Sequence, residues 1–202
     1  FETDQGRKRD LAERCMELAS DALELAERSG YPEIIGWAHY HMGSCLATIA
    51  GTEADPAIKR RLIEQAVERK TESVKIFTRS SPTAFFLLGA EIADLAGHKH
   101  ELALLTSDDA ARSAMLRETV VQLKEGLNLA EKSYFQHGDP SRCQYIGAYY
   151  AALGNWFVEL NRYANERAIL IEACKAFEDS VLWSEKGGWP SRMAEGHWKA
   201  AQ

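Results

Sequence analysis

One short pattern occurs four times in this chain at nearly constant intervals. It reads Ala22-Leu23-Glu24-Leu25-Ala26-Glu27-Arg28-Ser29, Ser73-Val74-Lys75-Ile76-Phe77-Thr78-Arg79-Ser80, Gly126-Leu127-Asn128-Leu129-Ala130-Glu131-Lys132-Ser133 and Ser180-Val181-Leu182-Trp183-Ser184-Glu185-Lys186-Gly187. The copies begin 51, 53 and 54 positions apart. Each opens on a small residue, continues apolar, and closes on a basic residue followed by Ser or Gly. A unit of this length cannot bury its apolar face alone and stacks on its neighbours. The pattern therefore predicts a row of stacked supersecondary units and moves the question of function from catalysis toward recognition.

The units are helical. No stretch alternates β-branched and polar residues, and no Asn-Gly or Asp-Gly hairpin signal occurs. Apolar residues recur instead at helical spacing. One stripe is Leu11, Cys15, Leu18, Ala19, Ala22 and Leu25. A second is Leu62, Ala66, Ser73, Val74 and Phe77, with Lys70 as its polar break. A third is Leu116, Val120, Leu123, Leu127 and Ala130. All five prolines stand where a helix is expected to start, the place where a missing N–H costs least. Pro32, Pro82, Pro140 and Pro190 each follow a copy of the repeated pattern, and Pro56 opens the helix after Gly51-Thr52-Glu53-Ala54-Asp55. Ser107-Asp108-Asp109 is an N-cap cluster. The expected helices are 7–29, 32–50, 56–79, 82–97, 107–136, 140–161, 164–187 and 190 onward, with Glu101–Leu105 able to extend either neighbour.

The expected fold class is all-α: about eight helices as antiparallel pairs, repeating about every 53 residues, in one right-handed or weakly curved array with a single core. The expected domain is 1–202, in units of about 1–51, 52–106, 107–162 and 163–202. Phe1 and the helical pattern running to Gln202 suggest a piece of a larger protein.

A second signature sits on the proline-led helices. His39-x2-Met42-Gly43-x2-Leu46, Phe85-x2-Leu88-Gly89-x2-Ile92 and Tyr150-x2-Leu153-Gly154-x2-Phe157 share one spacing. They resemble the W-x2-L-G-x2-Y core of tetratricopeptide repeats. Ala173-x3-Phe177 resembles the family's second element, which is degraded at Cys15-x3-Ala19, Ala66-x3-Lys70 and Thr119-x3-Leu123. The Gly lets a partner helix come close, and Gly89 is expected to seat helix 82–97 on helix 56–79. Small residues at Ala22, Ser73, Gly126 and Ser180 serve the same end. The repeat departs from the family's usual 34 residues, and proline sits later, so the chain looks like a divergent long-helix member. Such arrays resemble the sensor regions of prokaryotic multidomain signalling ATPases and transcription regulators.

Composition narrows the partner. A formal net charge of −6 repels phosphate backbones, so no nucleic acid is expected, and Arg7-Lys8-Arg9 and Lys59-Arg60-Arg61 read as solvated helix faces. The longest near-apolar run, Tyr145–Val158, is too short to span a bilayer and reads as a buried helix, so no membrane partner is expected. Cys15, Cys45, Cys143 and Cys174 form no C-x-x-C pair. In helices they behave as small apolar residues, which favours a reducing, cytoplasmic setting.

Catalytic chemistry finds little support. His39-x-His41 and His98-Lys99-His100 lack a third ligand at helical spacing, so no metal is expected. Glu91/Asp94 and Asp108/Asp109 are paired carboxylates without a nucleophile or base beside them. There is no Gly-rich phosphate loop, and Gly187-Gly188 reads as a helix C-terminal turn. No cofactor and no enzymatic activity are expected. Tyr31-Pro32 and Trp189-Pro190 occupy the same repeat position, followed by His39-Tyr40 and His197-Trp198, and read first as turn-fixing contacts.

The resemblance implies a concave groove lined by the proline-led helices and filled by a protein or peptide segment. On it the partner-binding candidates are Tyr40, His41, Ser44, Phe86, Ala90, Asp94, Asn155 and Glu159, with core packing as the other reading of the two aromatics. The alternative function is a small-molecule or peptide-effector sensor domain. A deep enclosed pocket favours the effector, and an open groove favours the segment. Such a surface is also compatible with a homo-oligomer.

Overall fold

A computed structural model describes residues 2–80 and 84–188, with the side chains of residues 2 and 3 outside the description. Among these residues the protein is all-α, with seven helices: α1 (Glu2–Ser29), α2 (Pro32–Thr52), α3 (Pro56–Ser80), α4 (Phe85–Leu104), α5 (Asp109–His137), α6 (Ser141–Ala164) and α7 (Arg167–Lys186). The helix expected from Pro190, with Trp189, His197 and Trp198, lies outside the described residues, as does Pro82.

The punctuation in the sequence sets the helix ends. Pro32 and Pro56 are the first residues of α2 and α3, and Pro140 immediately precedes α6. Asp108 caps α5 by accepting a hydrogen bond from the Ala111 amide at 2.6 Å. Gly138, at φ 65°, closes α5 in the left-handed conformation that glycine adopts without strain. Asn165 ends α6 at φ 51°, while the Asn161 side chain accepts from the Glu166 amide that follows. Glu101–Leu104 extend α4, whose helix runs through Gly97.

The chain forms two compact units. The first comprises 1–83 and 97–105, the second 84–96 and 106–202. In the first, α2 packs between α1 and α3. Arg9 on α1 pairs with Glu53 beyond the end of α2, and the α2 glycines face α3 in reverse order: Gly36 meets Phe77, and Gly43 meets Ala66 and Lys70. Consecutive helices therefore run antiparallel. The stripe Ala66, Lys70, Ser73 and Phe77 is buried as expected, and its polar break is buried completely. The Lys70 ammonium lies 3.2 Å from the centroid of the Tyr40 ring, a face that attracts a desolvated cation.

The expected α1 stripe is corrected by the structure. Ala12, Ala19 and Ala26 are buried, whereas Leu11, Leu18 and Leu25 are 59–64% exposed and Cys15 is exposed. Leucines and alanines each recur every seven residues, one position apart. The alanine stripe allows the closer approach to α2, and the leucines are left outward. Cys174 is exposed as well, so only Cys45 and Cys143 behave as the small core residues expected of all four cysteines.

In the second unit α6 packs between α5 and α7. Leu116, Val120, Leu123, Leu127 and Ala130 are all buried. Gly147 faces Ser180 and Ser184, and Gly154 faces Phe177. The Ser180 hydroxyl donates to the Gly147 carbonyl at 2.8 Å across this contact, which satisfies a buried polar group at the closest approach. Gly89 does not seat its helix on α3. A Cβ added there would lie 2.6 Å from the Gly126 carbonyl oxygen and 2.9 Å from the Ala130 amide, so its partner is α5. The physical reason is that Gly126 is the small residue opposite, and two glycines let backbone meet backbone.

Candidate functional site

The signature on α6 builds a surface as well as a core. Tyr150, Leu153 and Phe157 stand at i, i+3 and i+7, the spacing that places side chains on one helix face. Leu153 and Phe157 are buried and Tyr150 is half-buried. Beside them, α5 contributes buried Leu127 and α7 contributes buried Ala176. These residues form the apolar floor of an open groove of about 250 Å³. Its rims are polar: Lys124, Asn128 and Glu131 on α5, and Glu172, Lys175 and Asp179 on α7.

The groove has two unlike ends. At one, Lys124 pairs with Glu172 at 3.1 Å, and its ammonium sits 4.9 Å from the Phe157 ring centroid. At the other, the Tyr150 hydroxyl donates to Glu131 Oε1 at 2.7 Å. Burial, then the hydrogen bond to Glu131, pushes the Tyr150 phenol well above its ordinary value. Asp179 shares this end. Burial raises its carboxyl above the usual carboxylate range, with Lys175 pulling the other way, and Asp179 accepts no hydrogen bond among the described residues. A partly desolvated carboxylate without a donor is an unfavourable state that an incoming donor relieves.

Two further hollows differ in character. One of about 380 Å³ lies between α1 and α2, lined by Leu11, Ala12, Cys15 and Cys45 together with His41 and Ser44. There Cys15 and Cys45 lie beside each other, and burial pushes the Cys45 thiol up to about 12. The other, about 550 Å³, lies against the start of α5 and includes Arg117, Arg162 and Tyr163. It has no buried apolar floor.

The residues expected from sequence are distributed as follows. Tyr40, His41 and Ser44 come together on α2: the Tyr40 and His41 rings meet edge to face at 5.2 Å, and the Ser44 hydroxyl donates to the Tyr40 carbonyl. Tyr40 also covers Lys70, which gives it a packing role. Phe86 meets Tyr145 edge to face at 5.8 Å, with the Arg142 guanidinium over its ring. Ala90 and Asp94 are half-buried farther along α4. Asn155 is exposed, and Glu159 is held by Arg162 at 2.7 Å and by the Tyr163 hydroxyl. Neither Asn155 nor Glu159 lines the groove, although Leu153 and Phe157 on the same helix do.

The charged rims escaped the sequence reading. Their signal was present as polar residues at i, i+4 and i+7 beside the buried stripe of α5, Lys124, Asn128 and Glu131, and as a matching line on α7. The His39/His41 and His98/His100 pairs join no cluster of three or more metal-ligating side chains among the described residues. Burial lowers the His100 imidazole to about 4.

No protein-family model and no curated protein matches the chain. Among solved structures it is similar to the DHF58 filament, at 16% identity over 99% of this chain and 88% of that one, with a TM-score of 0.46. It is also similar to the de novo designed helical repeat protein DHR64, at 19% identity over 93% and 86%, with a TM-score of 0.43. The DHF119 filament matches at 16% identity over 97% and 91%, with a TM-score of 0.39. The fold stands on the chain's own helices and contacts, and these likenesses add no functional information.

Proposed function

We propose that this chain is a non-enzymatic binding module that holds a segment of a protein partner in the α5–α6–α7 groove. The observation that carries the reading is the groove's construction: a floor of Leu127, Leu153, Phe157 and Ala176 between two charged rims. An apolar floor supplies desolvation energy, and a polar rim supplies register and specificity. At about 250 Å³ the groove is smaller than the roughly 300–1,000 Å³ of pockets that enclose small ligands. It suits side chains presented by a segment better than a whole effector. No described helix is long and apolar enough to cross a membrane, and a net charge of −6 disfavours a nucleic-acid partner.

The tetratricopeptide-like reading belongs to this proposal. It is supported by the signature glycines, each of which faces the next helix: Gly43 faces Ala66 and Lys70, Gly89 faces Gly126, and Gly154 faces Phe177.

The test is selection of a random-peptide display library on the immobilised chain. Enriched peptides are expected to bind Asn128→Arg at least tenfold more weakly than the parent, because a long cation would close the groove between its rims. Selection that yields no binder, or binders indifferent to Asn128→Arg, contradicts the proposal.

A further inference from the structure

We propose that the bound segment presents a basic side chain, arginine or lysine, which seats between Asp179 and Glu131 with its aliphatic stem over Tyr150 and Leu153. This inference rests on the groove reading above and adds the chemistry of the partner. The charges lining the groove are Lys124 and Lys175 against Glu131, Glu172 and Asp179, which leaves one negative charge in excess. That excess is not spread evenly. Lys124 is already matched by Glu172 at the opposite end, so within the groove lining the two remaining carboxylates face Lys175, whose side chain is exposed. Outside the lining, Lys186 also acts on Asp179 while its ammonium sits over the Trp183 ring. Glu131 uses Oε1 to hold the Tyr150 hydroxyl, which leaves Oε2 for another donor.

Asp179 is half-buried and receives no hydrogen bond among the described residues. Two carboxylates flanking an aromatic and an aliphatic wall match the anatomy of a basic side chain, with an apolar stem and a donor-rich head. The planar fork of a guanidinium can bridge both carboxylates. An acidic side chain at this end would meet two like charges.

The experiment is a ¹H–¹⁵N NMR titration of the full chain with N-acetyl-arginine amide. N-acetyl-norleucine amide, which keeps the stem and lacks the charge, is the control. Arginine amide is expected to shift the amides of 128–131 and 175–179 saturably, with norleucine amide at least tenfold weaker. Asp179→Asn is expected to weaken arginine binding at least tenfold, and Lys175→Ala to tighten it by removing the competing cation. The second variant separates a charge effect from a structural one, since loss of packing would not improve binding. Equal binding of both amides, shifts confined to other helices, or indifference to Asp179→Asn in a folded variant overturns the inference. If display-selected peptides occupy the groove yet carry no basic residue, the inference falls and the groove reading stands. If neither peptides nor arginine amide address the groove, both fall.

Discussion

Gly89 and Gly126 meet with no side chain between them. A Cβ on either would come within 2.6–2.7 Å of the other's carbonyl oxygen, which is backbone and cannot rotate away. Gly89→Leu is therefore expected to cost about 1–3 kcal/mol or more through overpacking. Gly51→Ala, where an added Cβ meets nothing within 4 Å, is expected to change stability by less than about 1 kcal/mol. Urea denaturation of the two variants measures this, and similar midpoints would show that α4 and α5 do not meet at Gly89.

His100 gives a second test at this scale. Its folded-state value of about 4 lies below the ordinary 6.5 because burial disfavours the imidazolium. The unfolded chain then binds the proton first, so its contribution to stability falls as pH drops from about 6.5 to 4, by at most about 1.4 kcal/mol per pH unit. His100→Gln is expected to flatten this part of the stability profile in denaturation measured at several pH values. A variant profile parallel to the parent's would contradict the assignment. Residues of this kind are poorly legible in sequence. Lys70 looked like a break in an apolar stripe and is fully buried over Tyr40, because only the fold reveals that an aromatic face awaits it.

Elements were more legible than their faces. Pro32, Pro56 and Asp108 marked helix starts because each acts locally, through a fixed φ or a side-chain cap. The end of α4 was left open in the sequence, with the helix expected to 97 and Glu101–Leu105 able to extend either neighbour, and Gly97 does not decide it. Gly97 lies in open space within a continuous helix, and a glycine there lowers helix propensity without ending it. The face of α1 was missed. Leu11, Leu18 and Leu25 share their period with Ala12, Ala19 and Ala26, so periodicity defines two candidate stripes and closeness of approach selects the smaller side chains. Leu18→Ser is accordingly expected to shift stability by about 0.5 kcal/mol or less. Ala19→Leu is expected to cost about 1–3 kcal/mol by forcing α1 away from α2. Thermal melts of both variants check the assignment, and the reverse order of effects would show the leucine stripe to be buried.

At the scale of the whole molecule, the repeated signature carried more than its usual meaning. Tyr150, Leu153 and Phe157 were visible as a helix-packing motif, and the structure makes the same residues the floor of a groove. The rims were not visible because Lys124 and Glu172, or Glu131 and Asp179, are about fifty residues apart in the chain and become neighbours of one groove only when α5 and α7 both pack on α6. The resemblance pointed instead to Tyr40, His41 and Ser44, which gather on α2 beside a different hollow, to Phe86, Ala90 and Asp94 on α4, and to Asn155 and Glu159 on α6, none of which lines the groove. The central claim is therefore a claim of place. The most direct measurement is amide hydrogen exchange of the full chain, alone and saturated with a display-selected peptide. The account predicts new protection in 124–131, 150–157 and 172–179, with 36–48 unchanged. Protection confined to 36–48, with the α5–α6–α7 groove exchanging as in the free protein, would contradict it.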